Sequence, residues 1–376
     1  MSTFVDIHVI QSVPPSCVNR DDSGSPKSAV YGGVRRLRVS SQSWKRATRL
    51  HFIDHLDASE LGTRTKRVVK VLADAITSQA PDLEDRATAL AEDVFKAAKI
   101  KLTAPRGNKQ GASQESGYLL FLSRSQVDRL ADLAIAAERD GASLEAKEVK
   151  RIFKEEHAVD VSLFGRMVAD DADLNVDAAC QVAHAISTHA AENEYDFFTA
   201  VDDEKNRSEE EDAGAGMMGT VEFASATMYR YATVNIDMLK KNLGDGQAAL
   251  RALEAFVSGF CLSMPTGKQN TFANRTLPET VVVTVREDQP VSLVGAFETA
   301  VPADASDGYL GRSVQALAQY ASSIEDAYGM RPAASFVMSL IDSDAVISLG
   351  ERVAFAELPA RVSQVVASRV LDEEPA

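Results

Sequence analysis

The 376-residue sequence predicts an α+β fold, a βαββαβ sheet split by a long helical insertion. Three observations carry that expectation. A period-two stretch opens the chain, and three runs rich in β-branched and aromatic residues return in its second half. Between them, roughly ninety residues repeat their apolar positions every three or four residues, which is helical spacing. Two strand-like arms over Phe197 to Phe223 flank a hydrophilic, Gly-containing tip, the pattern of a projecting hairpin.

Taken in order, Thr3 to Ile10 alternates Val5, Ile7 and Val9 with Asp6, His8 and Ile10, so the chain opens on a strand. A loop rich in Pro, Ser, Asp and Gly covers Val13 to Ser28, followed by Gly32-Gly33 and the basic stretch VRRLRV. Ser40-Ser41-Gln42 then precedes a helix expected to start near Ser43, with Ser40 and Ser41 as candidate N-caps. The helical insertion runs from about Arg64 to Glu156 and is broken by the loop PRGNKQGASQESG. Strands are expected at Thr227 to Ile236, Thr280 to Val285 and Ala334 to Leu340, and helices near Gln247 to Leu262, Val291 to Ala300 and Arg312 to Tyr328. No internal repeat is visible.

The composition, 45% hydrophobic and 25% charged, supports a sizeable core in two or three domains. No run approaches the ~18 apolar residues of a membrane span, and the N-terminus has no signal pattern, so a cytoplasmic protein without a membrane partner is expected. Cys17, Cys180 and Cys261 are odd in number and far apart, which suits packing rather than disulfides or a metal knuckle. The net charge of −15 argues at first against a polyanionic partner. Its distribution reverses that argument. Arg20 to Arg49 holds eight basic residues against Asp21 and Asp22, a net of +6 that leaves −21 for the rest of the chain. Lys45 and Arg49 are four apart on one helical face with Arg46 beside them, and Ser40, Ser41 and Gln42 add short polar donors at the helix entrance. Such a set suits a phosphate backbone, the alternative being cations that pair with the chain's own acidic surface.

Other motifs do not support chemistry. The GxGxxG at Gly214, Gly216 and Gly219 follows Glu209 to Asp212, whose charges repel a pyrophosphate, and is expected to be a hairpin tip. His51 and His55 have helical metal spacing, but Phe52 occupies the position where a zinc protease carries its glutamate. His184 and His189, five apart, would diverge on a helix, and the sequon at Asn206 means little without a secretion signal. There is no P-loop or nucleophile elbow, so no catalytic residues, metal or cofactor are expected. The competing classes are an RNA-processing endonuclease, for which His8 on the first strand is the wrong kind of candidate, and a purely structural assembly protein.

The segment NRDDSGSPKSAVYGGVRRLRVSSQSWKRATRL also resembles the CasC family, the backbone subunit of the type I-E CRISPR surveillance complex called Cascade. The resemblance extends to Ile7-His8, Pro15 to Asp22, Gly165-Arg166-Met167, Ala183 to Ile186 with Thr188-His189, Phe198 to Asp203, and Phe223 with Tyr229 to Ala232. It implies a right-hand shape: a modified RNA-recognition (ferredoxin-like) palm over 1–60 and 224–376, helical fingers over 61–192, and a thumb hairpin over 193–223. It implies a non-catalytic protein whose copies stack into a filament along one CRISPR RNA, with other Cascade subunits, and present the guide for pairing with target DNA. By similarity, Arg20, Lys27, Ser40, Gln42, Lys45 and Arg49 hold the RNA backbone, together with Arg46, Lys268 and Gln269. Met167, Phe198 and Thr199 form a wedge that displaces a nucleotide, a device known for kinking nucleic acid. Of the adjacent aromatics Phe197 and Phe198, strand alternation lets only one serve, and Phe198 is the choice from sequence.

Overall fold

Strand β1 (Phe4–Ser16) lies at the centre of a ten-stranded sheet in a computed structural model that describes residues 2–105, 113–168, 171–200, 217–303 and 308–371. The hairpin β2 (Ser28–Tyr31) and β3 (Val34–Val39) follows. Its two-residue turn needs positive φ at both Gly32 and Gly33, and the VRRLRV stretch is its second strand. Helix α1 (Ser41–Ile53) leads into an insertion of β4 (Gly62–Thr65), α2 (Val68–Gln79), α3 (Glu84–Ala97), β5 (Leu102–Thr103), β6 (Glu115–Ser116), β7 (Leu120–Ser123), α4 (Arg124–Asp140), α5 (Ala146–Lys154) and α6 (Val159–Phe164). The chain returns to the sheet through β8 (Cys180–Val182) and β9 (Ala185–Ser187), projects as β10 (Glu194–Ala200) and comes back as the long β11 (Met217–Asn235). Helices α7 (Ile236–Leu243), α8 (Gly246–Leu262) and α9 (Gln269–Phe272), strand β12 (Thr280–Arg286), helix α10 (Leu310–Tyr328), strand β13 (Ala334–Ser339), helix α11 (Asp344–Ser348), strand β14 (Glu351–Arg352) and helix α12 (Leu358–Leu371) complete it. No helix among the described residues is long and apolar enough to cross a membrane.

The mixed α+β class with a central sheet holds, and all four expected strands form within that sheet. The four expected strands stand in the order β13-β12-β1-β11, the fourth, third, first and second in sequence. Among the strands not expected from sequence is β8, three residues long, paired antiparallel to the outer edge of β11. It gives the order β12-β1-β11-β8 with α1 and α8 packed together. A second correction concerns Val291 to Ala300, where only one 3-10 turn forms, Val294–Phe297. The backbone N–H of Val291 goes to the Asp6 carboxylate at 2.9 Å and that of Leu293 to the Tyr229 hydroxyl at 3.0 Å, so buried side chains of the sheet take the donors a helix would have used.

Both faces of β1 are buried, although its sequence reads as half polar. Val5, Ile7 and Val9 pack with Val281, Val283 and Val234 under α8 and α12, whereas Ile10, Tyr229, Tyr231 and Val282 face Val314 and Leu317 of α10. The polar members of that second face find partners within the sheet, although the buried His8 Nε2 has none among the described residues. Asp6 pairs with Arg286 at 3.2 Å and accepts from the Tyr231 hydroxyl at 3.0 Å, and His8 Nδ1 meets the Tyr229 hydroxyl at 2.9 Å. The insertion has its own core, in which Val69, Leu72, Leu90, Phe95, Leu130, Ile152 and Phe153 of α2 to α5 meet. All three cysteines are buried, as packing residues should be.

Candidate functional site

Helix α1 is the ridge of the site, and its sequence divides it into two faces. Trp44, Ala47, Thr48 and Phe52 point inward against α8, where Gly259 permits the approach: a Cβ there would lie 3.1 to 3.2 Å from Phe52, His51 and Thr48. Arg230 from β11 completes the buried side, with its guanidinium carbon 3.7 Å from the Trp44 ring centroid and 4.6 Å from that of Phe260. Burial brings its pKa down to about 9. The Tyr229 to Ala232 block is therefore core structure, with Tyr229 and Tyr231 flanking His8 and Arg230 facing the helices.

The outward face carries Gln42, Lys45, Arg46 and Arg49, which line a cleft of about 660 Å³ with Arg64, Tyr118, Leu119, Phe121, Phe164 and Met167. Four predicted backbone-binding residues and one predicted wedge residue thus meet in one place. Met167, 79% exposed, stands there because the residues before it are a built support. Gly165 adopts φ +77, and a Cβ on it would come within 2.8 Å of the Val176 carbonyl oxygen. Arg166 is buried and donates to the carbonyls of Leu174 at 2.9 Å and Phe153 at 2.6 Å, pinning the turn to the insertion. Gly165 turns the chain, Arg166 anchors it and Met167 is presented.

A second cleft, about 310 Å³, lies on the next face of the helix and shares Arg46 with the first. Ser43, Leu50, His51 and Asp54 line it with the loop Ser263 to Gly267 and with Arg275, which sequence reasoning did not pick. Gly267 packs on the backbone of Cys17 and Val18 so closely that a Cβ would sit 2.1 Å from the Val18 oxygen. Lys268, at φ 55, and Gln269 follow, both exposed. Burial pushes the Cys17 thiol up, and Lys268 and Arg20 oppose that shift. The loop carrying Arg20 and Lys27 folds back on itself through the Lys27 N–H to Asn19 oxygen bond at 2.9 Å, and is tied to α1 by the Ser40 N–H to Asn19 Oδ1 bond, also 2.9 Å.

Not every basic or polar residue of the segment faces outward. Arg36 is fully buried and donates to the carbonyls of Tyr31, Ser187 and Phe297, stapling the β2–β3 hairpin to the sheet. Ser40 is also buried, and its hydroxyl accepts from the Ser43 N–H as the N-cap of α1, which begins two residues earlier than expected. The Ser41 N–H donates to His184 Nδ1 at 3.1 Å, and burial followed by Arg38 and Lys27 holds that imidazole below its ordinary pKa. His184 and His189 flank β9 instead of lying on a helix, and the ring of His189 stacks on Tyr309 at 3.5 Å between centroids. His51 and His55 stack face to face at 3.8 Å. Among the described residues no three His, Cys, Asp or Glu side chains cluster to hold a metal.

The projecting arms are β10 and β11, paired antiparallel from Glu194 opposite Phe223 to Ala200 opposite Met217. The tip, with Glu209 to Asp212, the sequon, Gly214 and Gly216, lies outside the described residues. Gly219 is on a strand and opens no helix. It faces Phe198, whose ring would lie 2.7 Å from a Cβ at that position. Phe198 is thus half-buried across the hairpin, whereas Phe197 is 66% exposed on the opposite face, which it shares with exposed Thr199. Of the two rings Phe197 is the more exposed, whereas Phe198, the choice made from sequence, lies over Gly219. At the root of the arms Phe223 contacts Phe272 of α9 at 5.9 Å between centroids, which sets the Lys268-Gln269 turn beside them.

The family model of the CT1975-like proteins matches residues 5–361. Two solved structures are similar over nearly the whole chain. A chain of a CRISPR RNA-guided surveillance complex in a pre-nicking state is 37% identical with a TM-score of 0.85, covering 96% of this chain and 99% of its own. A chain of another CRISPR RNA-guided surveillance complex is 32% identical with a TM-score of 0.75 and the same coverage. No curated protein matches.

Proposed function

The chain belongs to the CT1975-like protein family, and from that premise we propose that it is the non-catalytic backbone subunit of a type I-E Cascade complex, of the CasC kind. Its copies line up along one CRISPR RNA in the cytoplasm, beside the other Cascade subunits, and present the guide for pairing with target DNA. The observation that carries this reading is the α1 cleft, where Gln42, Lys45, Arg46 and Arg49 converge opposite exposed Met167. Arg20, Lys27, Lys268 and Gln269 extend the grip around the N-terminal side of the helix, Ser40 acts through the cap, and Met167, Phe197 and Thr199 form the displacing wedge with Phe198 beneath. An RNA-recognition-like palm is supported by the fourth, first, third, second order that β12, β1, β11 and β8 make with α1 and α8. Fingers and thumb correspond to the separately cored insertion and the β10–β11 arms.

A guide holder must accept any spacer, so it engages phosphate and sugar and leaves base edges to Watson–Crick pairing. The non-catalytic part of the reading is supported by what occupies the histidines. His8, His157, His184 and His189 each have a hydrogen-bonded structural partner, and His51 and His55 cover one another. Purification with native partners and sequencing of the bound RNA tests the proposal. Repeat-flanked spacers of unrelated sequence are expected, and ultraviolet crosslinks should map to α1. Specific cleavage of precursor CRISPR RNA by the pure protein without metal would replace this reading with that of an endonuclease.

A further inference from the structure

We propose that Asp160 is the positioning residue for Arg49: a buried carboxylate of the helical insertion that orients the Arg49 guanidinium toward the guide. The proposal rests on the reading of the α1 cleft as the RNA site. Asp160 lies in α6 with a side chain only 4% exposed, and its Oδ2 is 3.4 Å from Arg49 Nε. Its other oxygen accepts the Gly62 N–H at 2.9 Å, which fixes the carboxylate in turn. On another side the Phe121 ring centroid lies 4.6 Å from the guanidinium carbon. Gly62 is what allows these parts to meet, since a Cβ there would come 2.8 Å from the Phe121 ring and 3.1 Å from Asp160 Oδ1.

The neighbours of Arg49 are treated differently. Lys45, one turn earlier, has only the Phe164 ring at 5.8 Å, and neither Lys45 nor Arg46 forms an ion pair among the described residues. Of the three cations that line the cleft from α1, Arg49 alone is held by a carboxylate. The Nε edge is the one engaged, while Arg49 still lines the cleft, so the terminal nitrogens of the fork remain for a ligand. A cation held in advance loses less side-chain freedom when it binds phosphate. Arg49 comes from α1, whereas Asp160, Gly62 and Phe121 come from the insertion. The placement of the insertion on the sheet therefore sets the position of a charge that grips the guide. Burial pushes the Asp160 carboxyl above the usual carboxylate range and Arg49 opposes this, which is how a buried acid retained for a partner behaves.

The test is a double-mutant cycle on the full chain, with a fluorescently labelled repeat–spacer RNA as the probe at several salt concentrations. Arg49→Ala should weaken binding about tenfold in the wild-type background but less than about threefold in an Asp160→Asn background, the coupling expected of groups in contact. Lys45→Ala should cost the same in both backgrounds. A merely structural Asp160 would lower the melting midpoint and weaken all contacts alike, so the selective loss for Arg49 is the diagnostic readout. Equal costs of Arg49→Ala in the two backgrounds, or no cost in the wild type, overturn the proposal. Tighter binding by Asp160→Asn that depends on Arg49 also overturns it, because Asp160 would then be masking charge instead of aiming it. If Asp160→Asn is unfolded at the assay temperature, Asp160→Glu reads the same coupling, since it keeps the charge and moves it by one methylene. Failure of wild-type protein to bind the RNA, or Lys45→Ala without effect, would indict the cleft itself and is thereby distinguished.

Discussion

His8 shows how a residue that looks functional can be spent on the core. Its ring lies on β1 between Tyr229 and Tyr231, and complete burial, with a smaller push from Arg286, brings its pKa from 6.5 down to about 3. The folded protein therefore holds the imidazole neutral while the unfolded chain protonates it near its ordinary value. The stability this contributes is complete above about pH 6.5 and is lost progressively as pH falls toward 3, at about 1.4 kcal/mol per unit. Between pH 7 and pH 5 the loss amounts to about 2 kcal/mol. His157, which burial brings down to about 4, loses stability in the same direction. His8→Phe should thus flatten the acid limb of a denaturant-midpoint profile by about that amount without abolishing it. The Tyr229 hydroxyl keeps the Leu293 N–H as a partner in that variant. A profile parallel to wild type would mean that His8 is not held neutral.

At the scale of elements, the β10–β11 arms separate a supporting ring from an exposed one. Phe198 crosses Gly219 and stiffens the β10–β11 pair, whereas Phe197 and Thr199 look outward from the opposite face. Phe198→Ala should open the arms and speed limited proteolysis near the tip. Phe197→Ala should leave proteolysis and stability within about 0.5 kcal/mol of wild type, yet lose the ~1–3 kcal/mol that a stacked base contributes. Indistinguishable RNA and target affinities for Phe197→Ala would remove it from the wedge. Sequence reached the hairpin through its two apolar arms, and reached α1 through Ser40 and the spacing of Lys45 and Arg49, because these signals are local. It did not reach which of Phe197 and Phe198 is the more exposed, because that depends on Gly219, some twenty residues further along the chain. Strand β8 was invisible because three residues carry no periodicity, and the burial of both faces of β1 was not legible because its Asp6 finds Arg286 only in the folded sheet. Arg64, Tyr118, Phe121 and Arg275 reach the two clefts from distant parts of the chain, and nothing in their immediate neighbours marks them.

The whole molecule carries −15 and still gathers three cations of the larger cleft, Lys45, Arg46 and Arg49, along one helix, so its interaction with a polyanion should be local and countable. Lys45 is the cleanest probe, having no carboxylate partner among the described residues and no part in the α1 core. A lysine that meets a phosphate displaces about one condensed counterion. Lys45→Ala should therefore weaken guide binding and flatten the slope of log affinity against log salt by ~0.7, the value for one single-strand phosphate contact. Because phosphate carries no sequence, the loss should be the same for unrelated spacers. Were Lys45 reading a base edge, the loss would vary from spacer to spacer by about 1–3 kcal/mol and the salt slope would barely move. Measuring two unrelated spacers at several salt concentrations separates the cases. A uniform loss with a shallower slope identifies a backbone grip, which leaves the outward edges of the guide free for a target strand.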